Sequence, residues 1–130
     1  MTRTPRKSAV TAAMFRTIIA RDDFPWALRQ LSEYTTNVVA GTWCLLEKPP
    51  ATGSHQWDTA LAALTCWAAD ASRQARPAWA DKAQPLPAPW APIESYRSIG
   101  AEARDYWLSQ TPQSIAAKGI VFADRELVNP

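Results

Sequence analysis

Residues 54–76 read SHQWDTALAALTCWAADASRQAR, and the fold is decided by how this stretch is read. Trp57, Ala60, Leu61, Leu64, Ala68 and Ala71 recur at steps of three and four, which sets them along one side of a helix. Ser54 offers an N-cap oxygen, and Asp58 sits in the first turn, where the helix dipole favours an anion. Arg73 and Arg76 stand in the predicted last turn, and Pro77 is the predicted stop. Trp67 lies on the shoulder of the apolar stripe, so the buried side is expected to be wide. Burying a Trp or Leu fully is worth about 1.5–3 kcal/mol, which makes this the scaffold helix. Its alanines let neighbouring elements approach closely.

Upstream, Val10, Ala13, Met14 and Ile18 predict a first amphipathic helix over 9–21. Asp23 is placed to cap a second helix, with Pro25 tolerated in its first turn and Leu28, Leu31, Thr35 and Val38 as its apolar face. That helix is expected to end near Gly41. The pair is read as an αα-hairpin rather than a DNA-reading helix-turn-helix, because Arg29 and Gln30 beside Glu33 make a poor base-reading surface. Pro49 and Pro50 then force extended backbone ahead of the scaffold helix.

Downstream, PAWADKAQPLPAPWAP over 77–92 is read as neither helix nor central strand, but as a rigid strap anchored by Trp79, Leu86 and Trp90. Two readings of its tryptophans stand: core fasteners, or a display surface for a partner. A further helix is predicted over 93–108, with Gly100 its weak point and Ile99, Ala103, Tyr106 and Trp107 on one side. Thr111-Pro112 is read as N-cap and first residue of a short helix closed by Gly119, with Ile115 and Ile120 as the hydrophobic pair of a Schellman ending. Ile120–Phe122 forms a brief extended run, and Asp124 is placed to cap a last turn. The expected fold is mainly α: about five helices, a Pro/Trp-rich extended strap and a short extended C-terminal segment. Residues 1–8 are read as a flexible basic arm and 9–130 as a single helical domain.

Seven tryptophans and eleven prolines in 130 residues are the unusual features of composition. The net charge of +2 conceals an asymmetry, because the first 21 residues hold Arg3, Arg6, Lys7, Arg16 and Arg21 and no acid. No apolar run is long enough for a membrane span and no secretion signal is evident, so a cytoplasmic protein without membrane contact is expected. Cys44 and Cys66 lack metal-ligand spacing and are read as buried or idle thiols. His55 stands without local partners and is read as an exposed first-turn residue. Phosphate-binding glycine loops, nucleophile elbows and zinc motifs are missing from the sequence. No catalytic residue, metal or cofactor is therefore expected, and the chain is read as a non-enzyme.

The order ALRQLSEY (27–34), KPPATGSHQWDTALAALTCWAA (48–69), RPAWAD (76–81), the Trp90 strap and SQTPQSIAAKGIVFADRELV (109–128) resembles an actinobacterial helical domain associated with antitoxins and regulators. In that family a proline-flanked loop leads to a "WDALLAALAEHLA"-like helix, a "PAW" element follows, and the closing pattern corresponds here to Pro112, Ile115, Lys118, Gly119, Ile120 and Leu127. Some members are fused to helix-turn-helix DNA-binding domains, and others stand beside nucleotidyltransferase-type toxins. Too few residues precede Ala27 to hold that DNA-binding module, and Thr65-Cys66-Trp67 replaces the usual "EHL", which points to a divergent partner.

The resemblance implies a protein-binding role in a toxin–antitoxin system, with a nucleotidyltransferase-type toxin as the implied partner. Trp79, Asp81 and Trp90 are the first candidates for the contact, with Tyr96 and Trp107 behind them. The alternative is a nucleic-acid-associated transcriptional regulator that contacts phosphates weakly through Arg3, Arg6 and Lys7.

Overall fold

The computed structural model describes residues 16–21, 23–31 and 51–122, together with the backbone of 32–39, Arg6–Lys7 and Trp43–Cys44. The described chain is mainly helical. Helix α1 covers residues 16–20, α2 Phe24–Val39, α3 His55–Ala71, α4 Ala78–Asp81, α5 Gly100–Ser109 and α6 Gln113–Ala116, with a 3-10 helix over Pro92–Ser95. Arg6–Lys7 (β1) pairs in parallel with Trp43–Cys44 (β2), which ties this part of the basic stretch to the chain just after α2. Val10, Met14, Asp22, the Pro49-Pro50 loop, the turn expected from Asp124, and Arg3 lie outside the described residues.

The expected scaffold is α3, and its start follows the sequence reading. Ser54 Oγ accepts from the Trp57 amide at 3.3 Å, and its carbonyl accepts from Asp58 N at 3.0 Å. Asp58 does more than complement the dipole: its Oδ1 accepts from both the amide and the hydroxyl of Thr52, at 2.9 and 2.8 Å, fastening the entering loop to the first turn. The burial is wider than the sequence pattern. Trp57 and the run from Thr59 to Cys66 are buried right round the helix, as are Ala68 and Ala69. Thr59 and Thr65 tolerate this because their hydroxyls donate to the carbonyls one turn back, at 2.8 Å to His55 and 2.7 Å to Leu61.

The other end of α3 corrects the expectation. Neither Arg73 nor Arg76 is in the last turn, and Pro77 is not the stop. The helix ends at Ala71 with Ser72 as C-cap, and Arg73 takes the left-handed conformation at φ +58°. Arg73 N donates to Asp70 O at 3.2 Å and Gln74 N to Ala69 O at 2.8 Å, the two bonds of a Schellman motif. Arg76 then folds back, its Nε and Nη2 donating to the Asp70 carboxylate at 2.9 and 2.6 Å and its Nη1 to Asp81 at 3.2 Å.

Around α3 stand α2, α4, α6 and the 3-10 helix. From α2 come Ala27 and Leu31, both buried; Asp23 O accepts the Ala27 amide at 3.0 Å, as expected of the residue ahead of the first turn. Ile19 of α1 is buried more deeply than Ile18, which only packs against the core. The strap differs from its reading, for its first residues form the helical turn α4. Pro77 sets this off by accepting from Ala80 N and Asp81 N, as proline without an amide of its own can do at a helix start. Beyond it the strap is irregular, with a bend at 87–88, until Trp90 forms a parallel bridge with Ile120. Trp90 N donates to Gly119 O, and Val121 N to Trp90 O, both at 2.9 Å.

The helix expected over 93–108 is two pieces. A 3-10 helix opens at Pro92, the chain breaks, and α5 begins at Gly100, whose φ is +79°. Thr111 is not the N-cap of α6; that place belongs to Pro112, while the Thr111 hydroxyl donates to Trp107 O at 2.8 Å and accepts from Phe122 N at 3.0 Å. The Schellman ending expected at Gly119 is only partly present. Helix α6 ends at Ala116 with Ala117 as C-cap, Gly119 N donates to Ala116 O at 2.9 Å, and Lys118 N, not Ile120 N, donates to Ile115 O at 3.1 Å. Gly119 does take φ +78°, and Ile115 and Ile120 are fully buried.

Candidate functional site

Of the residues expected at a contact, Trp90 is the clear correction. It is 8% exposed, edge-on to Trp57, and its main chain is committed to the bridge with Ile120, so its ring is a core fastener. Trp79, on α4, is half-buried against the core, and its Nε1 is buried without a hydrogen-bond partner. Asp81 is exposed, but its carboxylate accepts from Arg76. Trp107 is half-buried, beside Leu28, Ile93, Val121 and Phe122. Tyr96 is 45% exposed. Side chains of Arg6 and Lys7 are outside the described residues, as is the whole of Arg3.

The most exposed large hydrophobic side chain among the described residues is one that the sequence pattern turns inward. Tyr106, on α5, is 64% exposed. It shares the outward side of the helix with Glu102, Asp105 and Ser109, all exposed and at helical spacing of three, four and seven from Glu102. The inward side carries Ala103, Arg104, Trp107 and Leu108, each only partly covered. Arg104 is held there by Glu94, with Nε and Nη2 donating to the two carboxylate oxygens at 2.7 and 2.8 Å. The Arg104 guanidinium is the chief cause holding the Glu94 carboxyl below its ordinary range, and the Ala91 amide at 3.1 Å adds to it. The polar spacing of Glu102, Asp105 and Ser109 is the signal in the sequence for this face; it is masked when Tyr106 is grouped with its neighbour Trp107.

Two grooves flank α4. One, of about 430 Å³, runs between the first turns of α3 and the strap, with Ala62 and Thr59 at its floor and Trp79, His55 and Lys82 around it. His55 is exposed, as expected. The other, of about 580 Å³, holds Trp67 with Asp70, Arg76, Asp81 and Lys118. Its charges are already matched among themselves: Arg76 joins both aspartates, and the Lys118 ammonium donates to the carbonyls of Asp81 and Ala83 at 3.1 and 2.8 Å. Burial pushes the Cys66 thiol up, so it is neutral rather than a thiolate nucleophile near pH 7. Among the described residues no three His, Cys, Asp or Glu side chains gather in a way that could hold a metal ion, and no helix is long and apolar enough to cross a membrane.

Comparison of the chain with models of known protein families, with curated proteins and with solved structures finds no match.

Proposed function

We propose that this chain is a non-catalytic protein-binding module, an antitoxin-like neutraliser of a cognate toxin, and that α5 carries its contact face. One observation bears most of the weight: Glu102, Asp105 and a 64% exposed Tyr106 share the outward side of a helix whose only arginine is turned inward to Glu94. An acidic face centred on an aromatic ring complements a basic, nucleotide-handling surface, in which charge steers the encounter and the ring supplies contact area. The family resemblance supports the same class of partner, a nucleotidyltransferase-type toxin. Tyr96, 45% exposed just after the 3-10 helix, remains available as a further contact residue. Trp90, being in the core, takes no part.

Co-expression with the product of the adjacent gene tests the reading. The expected result is a complex that survives gel filtration and relieves any growth defect that product causes. Tyr106→Ala should weaken the complex at least about tenfold, the order expected of an aromatic hot spot. A monomer that captures nothing and rescues nothing, or a complex indifferent to both Tyr106→Ala and Glu102→Lys, would overturn it.

A further inference from the structure

We propose that α5 is a flap, held at its Thr111 end and free to swing at its Gly100 end, closed by the Glu94–Arg104 ion pair, and able to open while the rest of the chain stays folded. The flap is a property of the free chain and holds whether or not the acidic face meets a toxin.

The contrast with α3 carries the inference. In α3 the residues from Thr59 to Cys66 are all buried, whereas not one residue of α5 is buried. A helix of ten residues has little stability by itself in water, so α5 depends on what it rests against. What it rests against is small: the half-buried Trp107 beside Leu28, Ile93, Val121 and Phe122, and the bidentate grip of Glu94 on Arg104. Segments with few buried apolar contacts are those that open separately from the global transition.

The two ends of α5 are unequal. At its start Gly100 sits at φ +79°, a conformation glycine adopts at little cost, and a Cβ built there would meet nothing within 4 Å, so this end is not packed against the body on that side. At its end Thr111 is fixed twice, donating to Trp107 O and accepting from Phe122 N, which anchors that end to the buried C-terminal segment. Motion is therefore expected at the Gly100 end, with Arg104 just over one turn away as the clasp. Opening would part Arg104 from Glu94 and loosen the small apolar contact that Trp107 shares with Leu28, Ile93, Val121 and Phe122.

Hydrogen–deuterium exchange of the full chain, read by mass spectrometry, tests this. In the unmodified protein the amides of 104–109 should exchange at least about tenfold faster than those of 60–69, after correction for intrinsic rates. Arg104→Met keeps the side-chain stem and removes the clasp, and should speed exchange of 104–109 about fivefold while leaving 60–69 unchanged. Equal protection of the two helices would show that α5 opens only with global unfolding and would overturn the proposal. So would an Arg104→Met protein in which 104–109 exchange at the original rate, or one in which both helices accelerate alike.

Discussion

Trp57 and Trp90 meet edge to face, their ring centroids 5.6 Å apart and their planes at 82°. Phe24 lies parallel to the Trp57 ring at 6.0 Å, so three large rings from α2, α3 and the strap interlock in one core. Trp57→Ala and Trp90→Ala should each cost about 3–5 kcal/mol in urea unfolding, and their effects should fall short of or exceed additivity by about 0.5–1.5 kcal/mol. Trp79 gives the contrast. Its buried Nε1 has no partner, so Trp79→Phe removes an unsatisfied donor and should change stability by no more than about 1 kcal/mol. A Trp79→Phe loss as large as that of Trp90→Ala would mean the indole nitrogen is satisfied in solution.

The contrast between Arg73 and Gly119 yields a second prediction. Arg73 occupies the left-handed position of the α3 Schellman motif, where a side chain costs about 1–2 kcal/mol and glycine does not. Arg73→Gly should therefore raise the unfolding free energy, by about 0.5–1 kcal/mol once the entropy of the unfolded glycine is counted. At Gly119 the same logic runs in reverse. Its φ is +78°, and an added Cβ would lie 3.1 Å from both the Cβ and the carbonyl oxygen of Leu86. Gly119→Ala should lose about 1–3 kcal/mol, and calorimetry on both variants checks the pair of signs.

These positions also show what the sequence could disclose. The start of α3 was legible because its determinants are local: a capping serine, a first-turn aspartate and apolar spacing within a single turn of chain. Its end was not, because an arginine fills a place where glycine is the usual marker, and Pro77 offered a more conspicuous but false stop. The same proline hid α4, since a proline-rich composition argues against helix while Pro77 itself only needs to stand at a helix start. The left-handed Gly119 and its two buried isoleucines were readable for the same reason as Ser54, since their determinants are local, but the exact helix end was not: α6 stops at Ala116. The contact face was the least legible part. Whether Tyr106 or Trp107 turns inward depends on where α5 begins, and that is set by the break at Gly100 and by Glu94 ten residues away from Arg104.

Lys118 is a case no local pattern could reveal. It is 8% exposed, and its ammonium donates to the carbonyls of Asp81, the last residue of α4, and of Ala83 just beyond it, across more than thirty residues of chain. A cation at the last carbonyls of a helical turn satisfies oxygens that the backbone leaves without intrahelical partners. Lys118→Met preserves the stem and removes both bonds, and should cost about 1.5–3 kcal/mol by denaturant unfolding. Lys118→Arg, which can still donate but is longer and planar, should recover only part of the loss. An unchanged midpoint for Lys118→Met would show that water serves those carbonyls equally well.

Acid should weaken two of the ion-paired carboxylates, Glu94 and Asp70, in the same direction. The guanidinium of Arg104 depresses the Glu94 carboxyl, and that of Arg76 depresses Asp70. For a carboxyl whose folded pKa lies below its unfolded one, the stabilisation is complete above the unfolded value, about 4, and is lost as pH falls through the folded value. The midpoint gap between the unmodified protein and Glu94→Gln should therefore be constant near neutrality and close below about pH 4, and Asp70→Asn should behave alike. Salt tells them apart. Glu94 is 17% exposed in its pair and Asp70 45%, so about 0.5 M NaCl should shrink the Asp70→Asn gap by the larger fraction. Thermal melts from pH 7 to pH 3 at both ionic strengths measure all four gaps. A Glu94→Gln gap that widens on acidification would reverse that sign, and with it the role of Arg104 as the partner that keeps Glu94 ionised.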